Sequence, residues 1–88
     1  DYFLAYNNLG ISWNEKGEFE KAVPVFKKAI EIQPLNANAH LNLANSLAVK
    51  KNLQEAINHY QTALKLEPEL TQARANLKAV LSQVENKK

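Results

Sequence analysis

A single offset organises this chain. Laid over residues 37–70 without a gap, residues 3–36 are identical at Ala5/Ala39, Asn8/Asn42, Leu9/Leu43, Ser12/Ser46, Lys16/Lys50, Ala22/Ala56, Ala29/Ala63 and Pro34/Pro68. Phe19/Leu53, Val23/Ile57, Phe26/Tyr60, Ile30/Leu64 and Ile32/Leu66 keep a large apolar or aromatic side chain, and Gly10/Ala44 keeps a small one. The same 34-residue step leads from Ala39, Asn42 and Leu43 to Ala73, Asn76 and Leu77, which opens a partial third unit. A period of this length marks stacked supersecondary units, each too small to bury its apolar face alone.

Within each unit the apolar spacing is helical. Tyr6, Leu9, Gly10 and Trp13 recur at i, i+3, i+4 and i+7. Phe19, Val23, Phe26 and Ile30, with Ala22 and Ala29, line one face of a second segment. The second unit repeats both stripes with Leu43, Ala44 and Leu47, then Leu53, Ile57, Tyr60 and Leu64. Gly17 supplies a stop between the halves of unit one, because glycine takes the left-handed conformation cheaply. Unit two has Lys51-Asn52 there, and Asn52 is expected to be the left-handed residue. Pro34 and Pro68 close the second helix of each unit, since proline cannot continue the hydrogen bonding. The spacing predicts helices at 3–16, 19–33, 37–50, 53–67 and about 71–85. Pro24 falls inside the second of these: either that helix begins later or it bends, and the good spacing from Glu20 to Ala22 favours a bend.

Composition removes most other classes. At 88 residues, 45% hydrophobic and 23% charged, the chain makes one small folded domain. With no cysteine there are no disulfides, thiolate metal sites or thiol catalysis. No apolar run approaches the roughly 20 residues of a membrane helix, so no membrane partner is expected. The net charge of +2 is dispersed. Its basic residues come as the pairs Lys27-Lys28, Lys50-Lys51 and Lys87-Lys88 with one arginine, Arg74, whereas a nucleic-acid footprint needs a denser stripe. With no signal-peptide pattern, a cytoplasmic location is expected. Methionine is absent even at position 1, so a processed chain or an excised piece of a longer protein is expected.

Taken together, these residues resemble the tetratricopeptide repeat (TPR) family. The match rests on Tyr6, Leu9, Gly10, Trp13, Gly17, Phe19, Ala22, Phe26, Ala29 and Pro34 in unit one. In unit two it rests on Leu43, Ala44, Leu47, Leu53, Ala56, Tyr60, Ala63 and Pro68, with departures at His40 and Lys51. The resemblance implies an all-α fold, a TPR α-solenoid of two helix-turn-helix repeats at 3–36 and 37–70. A C-terminal capping helix at 71–86 would complete five helices in a right-handed superhelix. Gly10/Ala44 and Ala22/Ala56 would admit a neighbouring helix, while Trp13/Leu47 and Phe26/Tyr60 would fill the space between layers. In the cap, Ala73, Leu77, Val80, Leu81 and Val84 would cover unit two, and Gln72, Lys78, Gln83 and Glu85 would stay wet. The polar end Glu85-Asn86-Lys87-Lys88 reads as an array terminus. Tyr2, Phe3, Leu4 and Tyr6 crowd the first helix without an obvious cover. Either further repeats precede them, or chains pair there as a homo-oligomer through the N-terminal helix.

Little in the chain suggests catalysis. His40 stands where the family usually has a large aromatic residue and is expected to be structural; His59 is expected on an outward face. Their spacing matches no metal-binding motif. Glu18 and Glu20 flank a helix start, where negative charge is favoured anyway. No phosphate loop, nucleophile elbow or paired carboxylate is present. The chain is therefore expected to be neither an enzyme nor a cofactor carrier.

The inner wall of the solenoid is the expected site. In such stacks the first helices line the concave side. Unit one contributes Leu4, Asn7, Asn8 and Ile11, with Asn14 and Glu15 beside them. Unit two contributes Asn38, Leu41, Asn42, Asn45 and Val49, and the cap contributes Gln72 and Asn76. Asn8, Asn42 and Asn76 recur every 34 residues and should form a ladder. An asparagine amide carries the donor and acceptor inventory of a peptide unit. The pattern is similar to the asparagine ladder of O-linked N-acetylglucosamine transferases, which implies a grip on peptide backbone; bonding between neighbouring helices is the equal alternative. In chaperone-binding TPR proteins, cations on this wall clamp an acidic tail. Here the corresponding places hold Asn7, Ile11, Gln72 and Asn76, and only Asn42 matches, so no cation would compensate a desolvated carboxylate. The expected function is a protein–protein interaction scaffold for a weakly charged peptide or protein with apolar anchors. The alternatives are an accessory segment of a larger enzyme such as a glycosyltransferase, or a self-associating structural repeat.

Overall fold

The computed structural model describes residues 1–86, so the Lys87-Lys88 pair lies outside the described residues. Five helices follow one another: α1 Tyr2–Glu15, α2 Phe19–Ile32, α3 Ala37–Val49, α4 Leu53–Leu66 and α5 Thr71–Glu85. There is no strand among the described residues. Side-chain caps start two of the helices. Asp1 Oδ1 accepts the Phe3 N–H at 2.8 Å and starts α1 at Tyr2. Asn36 Oδ1 accepts the Ala39 N–H at 3.1 Å and starts α3.

The turns between α1 and α2 and between α3 and α4 share one geometry. The Gly17 N–H reaches the Asn14 carbonyl and the Glu18 N–H reaches that of Trp13; in unit two, Lys51 and Asn52 reach Ala48 and Leu47. This is the paired closure that places its left-handed residue just past the C-cap. Gly17 accordingly has φ 78° and Lys51 φ 68°, while Asn52 has φ −82°. The expectation that Asn52 would be left-handed is thus corrected: the hydrogen-bond register fixes the position, and the intrinsic tolerance of asparagine does not move it. Pro24 does not delay α2, which starts at Phe19. Both Pro24 and Glu20, whose carbonyl lacks the proline N–H as partner, are exposed, so water can serve that carbonyl.

Packing follows the small-to-large pairing. Phe26 is fully buried and its ring lies flat against Gly10: a Cβ there would stand 2.5 Å from Cε1. In unit two Ala44 and Tyr60 hold the same places, both buried. Leu43, Leu47, Leu53 and Ile57 join them in one core that runs from Ala22 to Val80. Burying each of these large side chains contributes about 1.5–3 kcal/mol. Phe3, expected to lie open, is instead buried with Ala29 and Ala39, beside Tyr6 and Ile30. Tyr2 and Leu4 do remain exposed. The cap closes on a narrower stripe than expected: Ala73 and Val80 are buried, whereas Leu81 and Val84 are exposed.

The helix layers have an inside and an outside. The backbones of α1 and α3 approach each other, as do those of α3 and α5, but those of α2 and α4 do not. Across that outer gap only side chains reach, in a half-exposed ion pair between Lys27 Nζ and Glu55 Oε2 at 3.2 Å. The first helices therefore form the tighter, inner layer.

Candidate functional site

The first two inner helices are nearly uncharged, whereas α5 carries Arg74, Lys78 and Glu85. Helix α1 carries one ionised side chain, Glu15, and α3 carries no acidic residue, lysine or arginine. Amides take their place, and they bond from helix to helix. Asn42 Nδ2 donates to Asn7 Oδ1 at 3.3 Å, and Asn76 Nδ2 donates to Asn45 Oδ1 at 2.9 Å. Asn45 Oδ1 also receives the Tyr60 hydroxyl at 2.5 Å. The buried Ser46 Oγ donates to Asn14 Oδ1 at 2.7 Å. The three register-matched asparagines thus do not bond one another; Asn42 and Asn76 each bond an amide on the preceding inner helix, two helices earlier in the chain. Asn8 is exposed and makes no such bond among the described residues.

Each bond uses a fraction of what an amide offers. Asn42 keeps its Oδ1 and one N–H, Asn76 keeps its Oδ1 and one N–H, and Asn7 keeps both N–H groups. Around them Leu4, Asn8, Asn38 and Gln72 are exposed, and Ile11 is half-buried against the core. Two other expected wall residues belong elsewhere. Leu41 is 3% exposed and part of the core, so it offers nothing to a partner. Val49 is exposed but opens onto a recess of about 390 Å³ at the α1–α2 turn, shared with Gly17, Glu18, Phe19, Glu20 and Lys50. Further recesses, of about 380 and 280 Å³, lie around Gln33–Asn36 and between Tyr2, Tyr6 and Ile32.

The histidines form a pair that the sequence spacing did not reveal. His40 is buried, and His59, expected to face outward, is half-buried against it. The rings stack with centroids 5.2 Å apart, and the two Nδ1 atoms are 3.0 Å apart. His40 Nε2 lies 2.9 Å from the Pro34 carbonyl. A carbonyl only accepts, so His40 Nε2 carries the hydrogen, its Nδ1 accepts, and His59 Nδ1 donates. Burial pushes His59 below the ordinary imidazole value of 6.5; the His40 ring adds to this, Glu55 opposes it, and Lys27 has the smallest influence. The signal available in sequence was the histidine at an aromatic core place, which needs a polar partner once buried.

Among the described residues no group of three or more His, Cys, Asp or Glu side chains is placed to hold a metal ion. No described helix is long and apolar enough to cross a membrane.

Comparison with known proteins follows the same lines. The tetratricopeptide repeat family matches residues 14–81. A peroxisomal targeting signal receptor of Candida albicans is 38% identical over 69 residues, covering 78% of this chain and 12% of the receptor. Protein O-mannosyl-transferase TMTC1 of Homo sapiens is 43% identical over 53 residues, covering 60% of this chain and 6% of that protein. The chain spans only a small part of the length of either relative. Among solved structures, the second TPR of Spaghetti (RPAP3), bound to the HSP90 peptide SRMEEVD, superposes with a TM-score of 0.93. That match covers 98% of this chain and 80% of the other at 17% identity, and so speaks for the fold. On its repeat register, its five helices and the family match across residues 14–81, the chain belongs to the tetratricopeptide repeat family.

Proposed function

We propose that the chain is a non-catalytic protein-interaction module whose inner layer, α1, α3 and α5, holds an extended and weakly charged peptide. The observation that carries this reading is the run of asparagine amides with unused bonding capacity beside two helices, α1 and α3, that have almost no charge. Asn7, Asn42 and Asn76 supply donors and acceptors to a peptide backbone, which fixes its path without selecting its side chains. Leu4 and Ile11 supply apolar contact at one end, and Asn8, Asn38 and Gln72 flank the path. The bonds among the asparagines hold the amides in place before a partner arrives, which lowers the ordering cost of binding.

The relatives fit a docking role more readily than chemistry on this segment. The peroxisomal receptor reads a targeting signal, and the Spaghetti domain was solved with a peptide. A second reading, an accessory segment of a larger glycosyltransferase, is favoured by the identity with the O-mannosyl-transferase. In either setting the inner wall does the docking.

The experiment is an affinity comparison on a neutral peptide selected from a displayed library against this chain. Asn42→Ala, which removes one backbone-binding amide, is expected to weaken binding about tenfold, the worth of roughly 1.4 kcal/mol. Leu4→Ala is expected to weaken it by a smaller factor. Lys28→Ala on α2 is the control. Equal affinity for all three proteins would refute the reading.

A further inference from the structure

We propose that the His40–His59 pair is an acid-released latch that ties α3 and α4 to the α2–α3 turn. The pair sits where three elements meet. His40 on α3 donates to the Pro34 carbonyl in the turn and accepts from His59 on α4, at 2.9 and 3.0 Å. With both rings neutral, one hydrogen lies between the two Nδ1 atoms and every buried nitrogen of His40 is used.

Protons can enter in only two ways. A first one goes to His59 Nε2, the ring nitrogen of the pair with no protein partner among the described residues. The Nδ1–Nδ1 bond survives this step, but it leaves a cation in a half-buried place, stacked on a buried ring. A second proton would go to His40 Nδ1. Two N–H groups would then face each other across 3.0 Å, and the contact must open. The charged groups that face His59 are Glu55 on α4 and Lys27 on α2. They are themselves paired at 3.2 Å; Glu55 still favours an imidazolium, but by less than burial and the His40 ring disfavour it. The direction of His59, below 6.5 through burial and His40, agrees with this geometry.

The sign is then fixed. In the unfolded chain the His59 imidazole takes up its proton around 6.5, while in the fold burial and the neighbouring His40 ring hold it below that value. Above that pH the contribution of the latch is complete; as pH falls below 6.5 the unfolded chain gains protons first and stability is lost. The element released is α3, the central helix of the inner layer, together with the turn that joins the two units. Acid therefore loosens the joint on which the inner wall is aligned.

The test uses the whole chain and two independent readouts. The melting temperature of the wild type is followed from pH 7.5 to 5.0 beside the double variant His40→Phe/His59→Leu, which replaces both partners with apolar groups. The wild type is expected to lose melting temperature below pH 6.5, and the double variant to lose that dependence. Imidazole nitrogen NMR on the wild type is expected to show His40 protonated at Nε2 and His59 titrating below 6.5. The proposal is overturned by parallel pH profiles, or by a wild-type His59 midpoint at or above 6.5. It is equally overturned by a His40 hydrogen on Nδ1. Should the double variant not fold, the wild-type NMR decides alone.

Discussion

Gly10→Ala isolates the closest helix crossing in the molecule. A methyl at this position would stand 2.5, 2.6 and 2.7 Å from Cε1, Cδ1 and Cζ of Phe26. Carbon atoms prefer about 3.5–4.0 Å, so the ring or the helix must move by roughly 1 Å. Phe26 is fully buried, in a core it shares with Ala22, Val23 and Leu47, and its flat ring has no flexible end to withdraw. Such overpacking costs about 1–3 kcal/mol, and the rigid ring argues for the upper half. Alanine returns about 1 kcal/mol of helix preference over glycine. The net loss is about 1–2 kcal/mol, or roughly 5–15 °C in melting temperature for a domain of this size. Urea denaturation followed by helical circular dichroism measures it. Adding Phe26→Leu, which shortens the opposing side chain, should make the alanine less harmful, a coupling that a double-mutant cycle reports. Unit two is the internal control: Ala44→Gly should also destabilise, because there the layers already accommodate a methyl opposite Tyr60. If Gly10→Ala instead raises stability by about the helix-preference difference of 1 kcal/mol, the ring does not lie against that backbone and the packing argument fails.

Lys51→Gly should stabilise the chain by about 1 kcal/mol, since φ 68° strains any residue with a Cβ and the bond from Lys51 Nζ to Gln83 is exposed; chemical denaturation checks it, and a loss would refute it. Burial pushes the Tyr60 hydroxyl up to about 12. The fold thus holds the neutral phenol: its contribution is complete below 10.0 and lost as pH rises through about 12. Tyr60→Phe should therefore flatten the alkaline fall in stability, while costing about 1 kcal/mol at neutral pH through the lost bond to Asn45. The acidic peptide SRMEEVD, seen on the Spaghetti domain, should show no saturable binding in calorimetry, because the inner face here offers amides where a carboxylate needs cations; saturable binding would contradict that charge argument.

Much of the architecture was legible because repetition multiplies a weak signal. One apolar stripe in 14 residues is ambiguous, but the same stripe returning at Phe26 and Tyr60, or Gly10 and Ala44, leaves a single register. What escaped the sequence were features that depend on neighbours. Leu41 reads as a wall residue by position, yet it is buried in the core. Phe3 looks uncovered until α2 and α3 bring Ala29 and Ala39 around it. Asn52 is the residue tolerant of left-handed backbone, but the paired hydrogen bonds assign that conformation to Lys51. The histidine pair brings together residues 19 apart from two helices, a distance no local motif encodes. The asparagine repeat showed which side chains matter; only their bonds showed that the rungs join Asn42 to Asn7 and Asn76 to Asn45.

The most direct measurement is amide chemical-shift mapping of the labelled chain with a neutral library-selected peptide. The account requires shifts that follow one path along the inner layer, through Leu4 and Asn8 on α1, Asn38 and Asn42 on α3, and Gln72 and Asn76 on α5. Shifts gathered on α2 and α4, with the asparagine wall silent, would contradict it.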